Sequence, residues 1–120
     1  MPTTTVEDTF LFYEVTGQGL PIISTTGLGA GAEARADLIA GLAKHYKVLT
    51  YDQRGTGRSG PASQSQSIEE FAADIVTLMD AANIDRAAII GLSTGTGIAT
   101  ALAAKYSNRV SHLILGAPWT

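Results

Sequence analysis

The stretch Ala87-Ala88-Ile89-Ile90-Gly91-Leu92-Ser93-Thr94-Gly95-Thr96-Gly97-Ile98 decides the fold of this chain. An apolar, strand-like run enters Gly91-x-Ser93-x-Gly95, and a helix of small residues, Ile98-Ala99-Thr100-Ala101-Leu102-Ala103-Ala104, leaves it. A serine between two glycines, with a strand before it and a helix after it, is the setting of a nucleophile elbow, where a hydroxyl stands exposed on a sharp turn. Gly-x-Ser-x-Gly alone occurs by chance in Gly/Ser-rich chains, so its weight comes from that context. A serine hydroxyl is a poor nucleophile until a base takes its proton. The turn holds Ser93 clear of the sheet, and Gly91 and Gly95 leave room for it. The N–H of Thr94, at the start of a helix, can then face a developing oxyanion.

Working outward, the order of elements is two strands followed by β-α-β-α-β-α-β. Thr3–Val6 and Thr9–Val15 read as strands joined at Glu7-Asp8 in a hairpin, the second rich in aromatic and β-branched residues. Pro21–Thr25 is a short strand and Ala32–Lys44 a helix with Leu38, Ile39 and Leu42 on one face. Lys47–Tyr51 is a strand, and Arg54–Gln66 a polar loop. Ser67 and Glu70 match a capping box for a helix carrying Ile68, Phe71, Ile75, Leu78, Met79 and Ala82. Arg86–Leu92 is the strand before the elbow, Thr96–Tyr106 the helix after it, and Val110–Leu115 the last strand. Such alternation predicts an α/β fold: a mostly parallel sheet flanked by helices. No repeat, low-complexity tract or internal boundary divides residues 1–120, which read as a single partial domain.

Two further glycine-rich segments follow strands. Thr26-Gly27-Leu28-Gly29-Ala30-Gly31 comes after Pro21–Thr25. It either presents the Leu28 N–H as a second oxyanion donor or is a turn into the next helix, and both can hold. Gly55-x-Gly57-x-x-Gly60 has the spacing of a dinucleotide-binding turn, but such a turn opens directly into a helix whose N-terminus meets the pyrophosphate. Here Pro61 and a polar loop follow. Asp52 and Arg54 read as a structural pair or loop anchors.

Composition narrows the classes of function. The 120 residues can bury a real core, roughly 60–70% of the unfolded surface. A net charge of -3 argues against nucleic acid or an anionic membrane surface, which need a basic footprint. The absence of cysteine removes disulfides, thiolate metal sites and cysteine nucleophiles, and fits a cytoplasmic location. The first eight residues lack a signal peptide's charged and apolar regions, and no apolar run approaches the roughly 20 residues of a membrane span. No cofactor or metal is expected. A base for Ser93 is not evident. His45 ends a helix leading to the bottom of the sheet, and His112 sits early in the last strand.

Taken together, Gly27-Leu28-Gly29, Asp52-Gln53-Arg54-Gly55-Thr56-Gly57-Arg58-Ser59, Gly91-Leu92-Ser93-Thr94-Gly95 and Arg109-Val110-x-x-Leu113-Ile114-Leu115 resemble, in order, the N-terminal half of an α/β-hydrolase. Tyr51–Gly57 is particularly similar to enol-lactone hydrolases and aminoacrylate-hydrolase-type members. Thr26 stands where the family usually has His, Thr96 where it often has a second glycine, and Tyr106-Ser107 where it has Tyr-Pro.

The resemblance implies that Ser93 is the nucleophile and that Leu28 and Thr94 supply the oxyanion-hole N–H groups. It implies hydrolysis of a small ester, lactone or related carbonyl compound through an acyl-enzyme. The family's triad runs Ser, then Asp/Glu, then His. The acid, the base, the cap and the last strands are therefore expected beyond Thr120, with little activity in the isolated chain. The alternative is a non-catalytic module that self-associates as a homodimer or higher oligomer, or complements a missing C-terminal half. The last strand would then be an exposed apolar edge open to pairing.

Overall fold

The computed structural model describes residues 3–6, 9–25, 36–61, 67–92 and 95–116. Among the described residues the elements are β1 (Thr3–Val6), β2 (Thr9–Thr16), β3 (Pro21–Thr25), α1 (Ala36–Leu42), β4 (Lys47–Tyr51), α2 (Ile68–Ala81), β5 (Ala87–Leu92), α3 (Gly95–Lys105) and β6 (Val110–Gly116), with a 3-10 turn at Ser107–Arg109 before β6. The strands form one sheet in the order β1-β2-β4-β3-β5-β6. β1 and β2 pair antiparallel, with Val6 opposite Thr9, and β2 joins β4 antiparallel. The other pairs, β4-β3, β3-β5 and β5-β6, are parallel. The fold is that of an α/β-hydrolase, as its sequence resemblance implied.

The order of the strands places the helices. From β3 the chain moves to β4 on one side, then returns past β3 to β5 and on to β6. Right-handed crossovers put helices of opposite travel on opposite faces. α2 and α3 accordingly pack together on one face, while α1 lies against β4. Strand alternation supplies both faces with apolar side chains. Leu11, Ile23, Leu49 and Ile89 are fully buried with Ile75, Leu78 and Met79 of α2 and Ile98 and Leu102 of α3. Ile22, Val48 and Ile90, one residue out of step, are buried outside that cluster.

Local signals set the ends of α2. Ser67 Oγ accepts the N–H of Glu70 at 3.1 Å, and the Glu70 carboxylate accepts the N–H of Ser67 at 2.9 Å. The capping box read from the sequence is thus formed, and these bonds hold the Glu70 carboxyl below its ordinary range. The helix stops where Asn83 turns into a left-handed conformation, φ 58°. The expected first helix, 32–44, is shorter at its end: it closes at Leu42, because the chain turns there to place the Lys47 N–H on Leu20 O, 3.1 Å. Its expected start, 32–35, lies outside the described residues.

Among the described residues β6 is the last strand of the sheet, and Leu113, Ile114 and Leu115 are 39%, 50% and 42% exposed. No helix among the described residues is long and apolar enough to cross a membrane.

Ser67→Ala should cost about 1 kcal/mol of folding stability, the usual worth of an N-cap. Urea unfolding of the two proteins measures it, and an unchanged midpoint would show that α2 does not depend on its cap.

Candidate active site

β5 ends at Leu92 and α3 begins at Gly95, so only residues 93 and 94 connect strand to helix. The chain can turn that sharply because the two elements touch at glycine. A Cβ on Gly91 would lie 2.6 Å from the Gly95 carbonyl oxygen and 2.8 Å from the Ala99 side chain. Gly91 and Gly95 are both buried. The two elbow glycines therefore meet, strand end against helix start, on either side of the candidate nucleophile. Ser93 and Thr94 themselves lie outside the described residues, as does Leu28.

The site's location follows from the sheet. Thr25, the last residue of β3, pairs with Gly91 of β5. Connections leave these neighbouring strands in opposite directions, which makes the crevice at their C-terminal ends the topological switch point where open α/β sheets bind ligands. Thr25 and Leu92, the last residues of their strands, both end at this crevice.

Beneath it runs a buried polar network. Thr25 Oγ1 and Tyr51 Oη share a hydrogen bond of 2.9 Å. Burial pushes the Tyr51 phenol up to about 12, with hydrogen bonds from Thr25 and Gln53 opposing and the nearby Asp74 charge adding to the rise. Arg54 binds Asp74 through two bonds, Nε to Oδ2 at 2.8 Å and Nη2 to Oδ1 at 2.7 Å, with both side chains only 5% exposed. Asp52, fully buried, accepts the Arg58 N–H at 2.7 Å and Arg58 Nε at 3.3 Å. The Asp52 carbonyl accepts the Ser59 hydroxyl, and Ser59 Oγ in turn accepts the Phe12 N–H at 2.9 Å. The Arg58 guanidinium lies 3.8 Å over the Phe12 ring centre. Asp52 and Arg54 are loop anchors, as expected, and the structure identifies Arg58 and Asp74 as partners that sequence reading did not name.

The same loop accounts for the glycine pattern at 55–60. Gly57 has φ 47°, and a Cβ there would run into the Asp52 carboxylate. Gly60 donates its N–H to Phe10 O at 2.9 Å. The pattern wraps Asp52, Pro61 directly after it is not helical, and among the described residues the next helix, α2, starts at Ile68. Among the described residues no group of three or more His, Cys, Asp or Glu is placed to hold a metal.

Neither histidine is near the elbow. His45 is exposed in the turn between α1 and β4. His112 is exposed and pairs with Ala88, four residues before Leu92, which puts it about 13 Å down the sheet. General-base catalysis needs hydrogen-bond reach or a single bridging water.

The fold and this crevice define the class. A family model described as the alpha/beta hydrolase fold matches residues 21–120, and the chain belongs to that family. It is 38% identical over 112 residues to a protein provisionally named carbamate hydrolase RutD from Azorhizobium caulinodans, covering 93% of this chain and 42% of that one. Among solved structures it is similar to the enol-lactonase from Burkholderia xenovorans LB400, with TM-score 0.88, 34% identity, and coverage of 93% of this chain and 45% of that one. It is also similar to Est816, titled an N-acyl homoserine lactone degrading enzyme, with TM-score 0.94, 28% identity, and coverage of 99% and 46%. The chain thus spans less than half the length of these relatives.

Gly91→Ala should destabilise the protein by about 1–3 kcal/mol, because its methyl group meets a backbone carbonyl that cannot move without shifting α3. Equal denaturation midpoints would show that strand and helix are further apart than described. A second expectation concerns alkaline pH. The Tyr51 phenol is harder to ionise folded than unfolded, so its contribution is complete below about pH 10 and is lost as pH rises toward 12. Stability should fall by on the order of 2 kcal/mol more than in Tyr51→Phe across that window. Parallel pH profiles for the two proteins would show that Tyr51 ionises freely in the fold.

Proposed function

We propose that this chain carries the nucleophile half of a serine hydrolase, with Ser93 attacking the carbonyl carbon of a small ester, lactone or carbamate. The observation that carries this reading is the two-residue turn between Leu92 and Gly95, closed by the contact of Gly91 with Gly95. It sits at the switch point of a sheet belonging to the α/β-hydrolase family. The names of the relatives, an enol-lactonase, a lactone-degrading enzyme and a carbamate hydrolase, favour small acyl substrates.

In this mechanism Ser93 Oγ adds to the carbonyl, and the N–H groups of Leu28 and Thr94 take the negative charge of the tetrahedral intermediate. Collapse expels the alcohol or amine and leaves an acyl-serine, which water then hydrolyses. Each proton transfer needs a base. The sequence contains two histidines, and both stand away from the crevice, so these 120 residues perform the acylation weakly. Donor groups and binding alone sustain roughly 10³–10⁴-fold catalysis over water where a triad is incomplete.

A fluorophosphonate probe should label Ser93 slowly but selectively, as read by peptide mass. Ser93→Ala should abolish both the labelling and a weak hydrolysis of activated esters, whereas His45→Ala and His112→Ala should leave both unchanged. Labelling spread over other serines would sink the reading. A fast turnover that disappears with either histidine would show that a base had been misplaced.

A further inference from the structure

We propose that Thr25 and Tyr51 are a positioning pair for the reaction at Ser93: the bond between their hydroxyls holds the end of β3 in place beside the elbow. The inference rests on the hydrolase reading and adds to it the residues that hold the Leu28 side of the crevice. Thr25 and Tyr51 are the last residues of β3 and β4. The backbone ladder between these strands runs through Pro21–Lys47, Ile22–Val48 and Ile23–Leu49. Continued by two residues, that register sets Thr25 opposite Tyr51, on the face that Ile23 and Leu49 share. There the link is made by side chains, Thr25 Oγ1 to Tyr51 Oη at 2.9 Å. On its other side β3 stays in register with β5 up to Thr25 and Gly91, and Gly91 has no side chain with which to grip its neighbour. On the β4 side the hydroxyl pair takes over where the backbone ladder ends.

The residue types suit this role. Thr25 is fully buried and Tyr51 is 5% exposed, where valine and phenylalanine would fill nearly the same space. A buried hydroxyl costs free energy unless it is paired, and the net gain once paired is small. What a buried polar pair contributes is direction. It is satisfied over a narrow range of separation and angle, whereas an apolar contact tolerates sliding. Burial pushes the phenol up to about 12, so Tyr51 keeps its proton and its bond at neutral pH. The Gln53 side chain also bonds the phenol, and Gln53 adjoins Arg54, which is clamped on Asp74 of α2. The end of β3 is thereby tied, through β4, to the helix layer. Chain length carries the effect to the reacting groups. Ser93 is two positions beyond Gly91 and Leu28 three beyond Thr25, so their reach from this register pair is at most about 7 and 11 Å. The sequence after Thr25 contains Gly27, Gly29 and Gly31 and so has few side chains of its own to anchor it. A shift at the end of β3 therefore passes to the Leu28 N–H, and a misplacement of about 1 Å can cost up to about 10²-fold in rate.

The test is saturation kinetics of Ser93 labelling by a fluorophosphonate on the full chain, which separates the rate constant of bond formation from the affinity for the probe. Thr25→Val and Tyr51→Phe should each lower the rate constant about ten-fold with affinity unchanged, short of the roughly 10²–10³-fold for loss of a whole oxyanion donor. The double variant should lose no more than either single one, because both remove the same bond. Thr25→Ser keeps the hydroxyl and should restore most of the rate. Ser67→Ala, at the cap of α2, weakens the fold without touching the pair and should label at the unmodified rate. Two near-isosteric variants on different strands keep the test readable if one of them fails to fold. Labelling of Thr25→Val and Tyr51→Phe at the unmodified rate overturns the proposal and leaves the hydrolase reading standing. So does a Thr25→Ser variant as slow as Thr25→Val, which marks a packing effect, or losses that multiply in the double variant. No labelling of Ser93 in the unmodified chain overturns the hydrolase reading itself and this inference with it.

Discussion

The contact between Gly91 and the carbonyl of Gly95 is the constraint on which the rest of the structure depends. A strand and the helix that follows it are ordinarily held apart by side chains on both. Here the last turn of β5 and the first turn of α3 touch through backbone, and Ala99 fills the space a Cβ would need. This leaves only residues 93 and 94 to make the turn. Ile98 and Leu102 share the buried core with Ile89, and α2 packs against α3 on the same face.

Ion pairs and hydrogen bonds tie the remaining strand ends to that frame. The Arg54–Asp74 pair joins the loop after β4 to the middle of α2, and Asp52 gathers residues 57–59 beneath Phe12 of β2. Burying two charges costs several kcal/mol per ion, and the two-pronged geometry recovers it only at one relative position of loop and helix. The pair therefore contributes more to where the loop sits than to how stable the protein is. Tyr51 performs a similar service without charge, since its hydroxyl meets Thr25 where β3 ends beside Gly91. The crevice at the strand ends is thus lined by elements whose relative positions are set from below.

The two ends of the parallel strands differ in character. The C-terminal ends carry the elbow and the buried polar groups. The N-terminal ends carry both histidines, exposed, and the open apolar cleft beside β6.

Much of this architecture was legible in the sequence where the cause is local. The capping box at Ser67 and Glu70 is a contact across three residues, and strand alternation and the small helix after Gly95 are likewise short-range patterns. Those signals determined the element order, whereas the faces on which the helices lie follow from the strand order, which only the assembled sheet decides. The sequence also contained the glycines at 91 and 95, but not the fact that they touch. Tertiary structure alone decided the partners of Asp52 and Arg54, because many carboxylates and cations compete for each other along a chain. Only the sheet brings Asp74, 20 residues from Arg54, within reach. It alone showed that His112 faces Ala88, since strand register depends on long-range pairing that no local propensity encodes.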